Sequence, residues 1–224
     1  LPFVKPIIRE TIYKQFVGGE TAEQGVVVAN QLYKYHVSSI LDYSIEGLTE
    51  EKQFDEVRDV MLHLVDLAKA NPSIPFVVFK PTAFGRIELF EKVGKNQELT
   101  AAEKTSWANV RQRFEAVCQK GYDLDVNIMI DAEETWMQGS ADDLTDEMMA
   151  KYNTKRALVW NTLQMYRHDR LAYLKEMYAK AEREGYHLGF KIVRGAYMEK
   201  ERARAQAEGY PSPIQPNKES SDKD

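Results

Sequence analysis

Phe190-Lys191-Ile192-Val193-Arg194-Gly195-Ala196-Tyr197 decides how the rest of the chain is read. It is an apolar run with a lysine in its middle, an arginine at its end and a glycine turn behind it. Strands covered on both faces are nearly continuous in Val, Ile and Phe. A lysine inside such a strand carries a heavy desolvation cost unless an anionic group meets it. The apolar runs at 40–44, 74–79, 126–130 and 157–164 behave alike, closing on or containing Asp42, Lys80, Asp131 and Gln164 near their carboxyl ends.

Helical patterns lie between these runs. Thr21 and Gln24 suggest a capping box before Val26, Val27, Ala29, Leu32 and Tyr33, with the helix continuing through His36. Phe54, Val57, Met61, Leu64, Val65 and Ala68 recur at helical spacing until Asn71-Pro72. Thr100 and Glu103 form a second capping box, ahead of a face made by Trp107, Val110, Phe114, Val117 and Cys118. Leu171, Leu174, Met177, Tyr178 and Ala181 make the inward face of a further helix ending at Gly185. The tail from Gly209 to Asp224, with Pro211, Pro213 and Pro216, reads as a polar loop.

Strand and helix thus alternate five times without a hairpin signal, which predicts parallel strands joined by right-handed helical crossovers. An open doubly wound sheet and a closed barrel both satisfy that pattern. No Gly-rich phosphate fingerprint follows any strand, against a dinucleotide-binding sheet. Asp42, Lys80, Asp131, Gln164, Lys191 and Arg194 cluster at carboxyl ends of strands, where a (β/α)8 barrel gathers its active site. The expectation is a TIM barrel with about five of its eight βα units present. Residues 1–224 then form one partial barrel domain.

Composition narrows the function. Hydrophobic residues are 43% and charged residues 29% of the chain, ordinary for a globular domain. A net charge of −5 gives no electrostatic support for nucleic-acid binding. The lone Cys118 excludes an intrachain disulfide and fits a reducing compartment. No apolar run reaches the roughly 20 residues that span a bilayer, and no signal peptide is visible, although the chain opens at Leu1 without methionine. His36, His63, His168 and His187 lack metal-ligand spacing and read as surface or packing residues. The run 198–204 reads as a solvated helix face, and Met148-Met149 beside Tyr152 as packing.

Six segments together resemble the FAD-dependent proline dehydrogenase family of monofunctional type. They are Ile40-Leu41-Asp42-Tyr43-Ser44-Ile45-Glu46-Gly47, Phe79-Lys80-Pro81-Thr82, Ile130-Asp131-Ala132-Glu133-Glu134, Asn161-Thr162-Leu163-Gln164-Met165-Tyr166, Lys191 to Met198, and Tyr210-Pro211-Ser212-Pro213-Ile214-Gln215-Pro216. The resemblance implies hydride transfer from L-proline to FAD, giving pyrroline-5-carboxylate, with electrons passed to a quinone at a membrane surface. It implies a cytoplasmic or inner-membrane-associated protein in a bacterium, or the matrix side of the mitochondrial inner membrane in a eukaryote. A homo-oligomer is compatible with it.

The resemblance also assigns residues. Lys191 would sit near flavin N5, where some bacterial relatives carry arginine; a plain ion pair with Asp131 is the competing reading. Asp131 would brace Lys191, or alternatively cap a helix. Lys80 would lie near the substrate, against a merely solvated strand-end lysine. Gln164 would hydrogen-bond the polar edge of the isoalloxazine, against a satisfied buried amide. Arg194 and the backbone of Gly195 and Ala196 would cradle the pyrophosphate, with Lys218 and Ser221 as further cofactor contacts. Asp42 and Glu46 receive no catalytic role. The resemblance further implies that amino- and carboxyl-terminal portions of the domain are missing, and that the family's paired arginines, which clamp the substrate carboxylate, would lie beyond Asp224. Two other readings stand beside this one. A barrel aldolase would use Lys80 or Lys191 as a Schiff-base nucleophile, although Asp131 and Glu133 favour the ammonium form. An inactive barrel portion would lack the carboxylate clamp.

Overall fold

The computed structural model describes Thr11, residues 17–43, Ile45 and residues 47–224. Ser44 and Glu46 of the first-strand segment lie outside the described residues. Among the described residues, five strands form one parallel sheet in sequential order: β1 (Leu41–Asp42), β2 (Phe76–Phe79), β3 (Asn127–Ile130), β4 (Val159–Gln164) and β5 (Phe190–Val193). Sequential order with no reversal puts every right-handed crossover on the same side of the sheet. That is a barrel's winding and not a doubly wound one, so the parallel α/β fold is of the TIM-barrel type with five strands present.

The crossovers carry α1 (Ala22–Tyr33) before β1, then α2 (Glu51–Ala70), α3 (Ile87–Gly94) with α4 (Ala101–Leu124), α5 (Thr135–Tyr152) and α6 (Arg170–Glu184). After β5 come α7 (Met198–Glu208) and the short α8 (Lys218–Lys223). All six apolar positions expected in α2 are buried, and α4 buries Val110, Phe114, Val117 and Cys118. The Thr100–Glu103 capping box is complete. At α1 it is not: Thr21 Oγ1 accepts from Gln24 N at 3.3 Å, but Gln24 Oε1 reaches back to Glu20 N. That helix stops at Tyr33, before His36, whose φ of 61° is left-handed.

Other departures have physical causes. Helix α5, between the third and fourth apolar runs, is buried on nearly every side, so polar Gln138, Asp142 and Asp146 mask its pattern. Met148, Met149 and Tyr152 pack there as expected. Tyr178 faces solvent with its hydroxyl on Glu182, not the core. The expected solvated face of α7 contains Glu201, which is buried. Within the tail, Asn217 accepts from Ser220 N and starts α8 where a loop is expected.

Strand alternation divides the side chains. Val77, Phe79, Ile128, Ile130 and Val159 face the helices and join the main core. Register pairs Val78 with Met129 and Met129 with Trp160 on the opposite, barrel-interior face. Trp160 fills the lower interior beside Phe76, the rings 5.4 Å apart and edge-on. It fits because Gly189 has no side chain: a Cβ there would meet the indole at 2.7 Å. Gly189→Ala is expected to destabilise the protein by about 1–3 kcal/mol, the usual range for overpacking. An unchanged urea midpoint would show that Trp160 yields freely.

Candidate active site

Two residues further along that interior face, the chemistry changes. The same register carries Lys80, Asp131, Thr162 and Lys191 into one row, just past the carboxyl ends of β2 and β3 and within β4 and β5. The pairing of Asp131 N with Phe79 O at 2.9 Å extends the ladder to this row. Period-two alternation therefore brings the three expected catalytic residues onto one face above an apolar floor. The cation in the opening segment meets its anion here: Lys191 Nζ donates to Asp131 Oδ1. Their side chains are 32% and 24% exposed, so the pair borders an opening and is not sealed in the core. Thr162, which the row also includes, donates its hydroxyl to Ile130 O at 2.9 Å. Its spacing of two from Gln164 was the available signal.

Glu133 closes the wall beside the row. Its carboxylate accepts from Thr82 N at 2.9 Å and Thr82 Oγ1 at 2.7 Å, tying the β3 exit to the β2 exit. Burial pushes its pKa up, while the Thr82 bonds and the Lys80 charge pull against that. Lys80 is half-buried. A cleft of about 310 Å³ lies outside this wall, lined among others by Thr82, Arg86, Glu133, Glu134, Tyr197 and Lys200.

Gln164 is 2% exposed and its amide is engaged at both ends by protein. Nε2 donates to Glu133 O at 2.7 Å and Tyr166 Oη at 2.8 Å; Oε1 accepts from Arg167 Nη1 at 3.1 Å. Arg167 went unrecognised in the sequence because nothing in its spacing marks it. It forks onto Asp169, which Arg170 also holds. Burial raises the Asp169 carboxyl, but Arg170 and Arg167 outweigh it and hold the pKa at about 2, below its ordinary 3.8. A depressed carboxyl contributes stability above its unfolded pKa and loses it as pH falls through the folded one. The stability gap between wild type and Asp169→Asn is therefore expected to close between pH 3.8 and about 2. Urea midpoints across that interval test it; a gap unchanged to pH 2 refutes the assignment.

The remaining expected residues gather at the end of β5. Arg194 is well exposed, and its Nη1 donates to Asp222 Oδ1 at 3.0 Å. Lys218 donates to the same carboxylate, so two cations converge on Asp222. Ser221 is buried on the same short helix. A Cβ on Gly195 would meet only Met198 Sδ at 3.6 Å, and Ala196 follows in the same turn, so packing within the chain does not require glycine there. Asp222 thus brings Arg194 and Lys218 together at the β5 end, with Ser221 on the same helix, three strands along from Lys80. Among the described residues, no group of three or more His, Cys, Asp or Glu could hold a metal ion, and no helix is long and apolar enough to cross a membrane.

A parallel barrel-type sheet with an ion-paired lysine and aspartate in its top row defines a TIM-barrel scaffold with a strand-end site. The proline dehydrogenase family model matches residues 27–224, and the chain belongs to that family. It is 34% identical over 187 residues to the carbapenem antibiotics biosynthesis protein CarD of Pectobacterium carotovorum subsp. carotovorum, covering 84% of this chain and 50% of that protein. It is also 34% identical over 220 residues to the mitochondrial proline dehydrogenase 1 of Caenorhabditis elegans, covering 96% and 35%. In structure it resembles proline utilization A from Bdellovibrio bacteriovorus inactivated by N-propargylglycine, with a TM-score of 0.80, 20% identity, and coverage of 98% of this chain and 24% of that one. The chain thus spans half or less of the length of these relatives.

Proposed function

We propose that this chain supplies five strands of a flavin-dependent L-proline oxidation site, forming pyrroline-5-carboxylate. The observation that carries this reading is the Lys80, Asp131, Thr162 and Lys191 row, set across the interior face of the sheet of a proline dehydrogenase family chain. Lys191, Arg194, Lys218, Ser221 and the turn at Gly195 and Ala196 present cations and hydroxyl or N–H donors, the donor set that a diphosphate-bearing FAD requires. Gly195, which packing does not require, leaves its backbone open to such a group. FAD, when bound, supplies the hydride acceptor.

The protein's own part is electrostatic and positional. Lys191 places a positive charge where negative charge develops, and Asp131 fixes the direction of its ammonium group. Lys80 adds a second cation on the substrate side of the row. Gln164, held by Glu133, Tyr166 and Arg167, sets the wall between these strands. A quinone electron acceptor at a membrane surface, a homo-oligomeric assembly and a matrix-side location in a eukaryote belong to the same reading. The match to proline dehydrogenases does not favour the aldolase alternative.

The test is an absorbance spectrum of the purified protein with added FAD, followed by proline:dye oxidoreductase assay. A retained flavin spectrum with proline-dependent bleaching is the expected result. Retained flavin without turnover would indicate that the five strands bind cofactor but need a further carboxylate clamp. Failure to retain flavin under any condition would refute the reading.

A further inference from the structure

The charge-rich helix α7 hides a carboxylate that its composition gives no reason to expect: Glu201 is 1% exposed. A buried carboxylate needs strong donors. Glu201 finds both of its own on Thr135, accepting from the backbone N at 2.7 Å and from Oγ1 at 2.6 Å. Thr135 is the first residue of α5, and the N-cap residue Glu134 offers that helix no side-chain cap. The orphan N–H groups of a helix start need an acceptor and favour a negative charge. Glu201 supplies both from a different helix, while Glu134 is turned to Lys200.

The placement of the two ends matters. Helix α5 begins four residues after Asp131, and α7 begins immediately after the Arg194-Gly195-Ala196-Tyr197 turn. Tyr197 has φ 52°, a left-handed conformation that a tyrosine keeps only where its surroundings enforce it. Its carbonyl accepts from Glu201 N at 2.9 Å. Arg204, one turn further along α7, stacks 4.2 Å from the Trp136 ring centre and bonds Glu91 at 2.6 Å. These contacts press the first turns of α7 onto the start of α5.

We propose that Glu201 is a positioning residue: by capping α5 from α7 it locks the turn after β5 to the loop after Asp131. The cofactor part of this inference rests on the function proposed above; the mechanical part does not.

The experiment compares the full chain with Glu201→Ala, Glu201→Gln and Thr135→Val by amide hydrogen exchange and by FAD titration. Glu201→Ala is expected to accelerate exchange by at least about tenfold in both 131–137 and 192–198, since it loses both charge-assisted hydrogen bonds to Thr135, with α2 unchanged. Thr135→Val, altered on the far side of the contact, should accelerate 192–198 in the same direction. FAD dissociation constants should rise about tenfold in Glu201→Ala and less in Glu201→Gln, which keeps one acceptor. Acceleration confined to α7, or a Thr135→Val protein with unchanged exchange at 192–198, would overturn the proposal. Should Glu201→Ala not fold, Glu201→Gln and Thr135→Val carry the same test. Wild-type protein that fails to bind FAD would sink the proposed function, and the exchange data would still decide the coupling.

Discussion

On the proposed flavin-dependent proline oxidation, Lys191→Met is expected to lower proline:dye turnover by roughly 10²–10³-fold, the size of effect seen when a preorganised charge is removed from a developing one. Methionine keeps much of the stem's apolar volume and removes only the ammonium. Asp131 then loses its ion-pair partner, but water reaches both groups at 32% and 24% exposure. The stability change should accordingly be no more than about 1 kcal/mol, the range for solvent-accessible pairs. Lys191→Arg keeps the charge and should retain more activity than Lys191→Met, although a planar fork does not reproduce a point contact. Stability and turnover thus respond to different properties of one residue. Full turnover in Lys191→Met would remove Lys191 from the chemistry and leave the pair with Asp131 as its role.

The charged members of the row, Lys80, Asp131 and Lys191, were readable in the sequence for a simple reason. Buried parallel strands are apolar runs, and a charge at the end of such a run stands out against them. Lys80, Asp131 and Lys191 fall on one face because each lies at the same phase of a two-residue period. The helices were legible only where polarity and exposure agree. Helix α2 keeps its apolar stripe on the sheet, so all six positions match. Helix α1 exposes Val27, Leu32 and Tyr33 and buries Gly25 and Ala29, so its pattern misleads in one direction. Helix α5 misleads in the other, since Gln138, Asp142 and Asp146 are polar yet enclosed. Glu201 fails for the same cause: a carboxylate whose partners lie 66 residues away cannot be told from a solvated one by local pattern. Arg194, Lys218 and Ser221 were singled out by resemblance, but Asp222, on which Arg194 and Lys218 converge, was not.

The enclosed acids of α5 carry the largest expected stability effect. Asp142 and Arg170 join α5 to α6 at 2.8 Å, with side chains only 6% and 10% exposed. Asp142 also accepts from Gln138 at 2.8 Å and from Asn161 of β4 at 3.0 Å, so one carboxylate fastens two helices to a strand. Arg170 in turn covers the Tyr173 ring at 4.5 Å and shares Asp169 with Arg167. Removing one member of a buried pair leaves the other charged and unpaired, which costs about 3–5 kcal/mol. Arg170→Met is expected to fall near the lower end, about 3 kcal/mol, because Gln138 and Asn161 still donate to Asp142. For a chain of this length that corresponds to a melting temperature lower by roughly 6–12 °C. The double variant Arg170→Met, Asp142→Leu removes the stranded charge and should recover part of the loss, since an apolar replacement of a whole buried pair is often neutral. Asn161 and Gln138 then lose an acceptor, so recovery stays partial. Calorimetry of both variants decides the matter: a double variant no more stable than Arg170→Met would mean that the loss comes from the arginine's packing on Tyr173 and not from the uncompensated carboxylate.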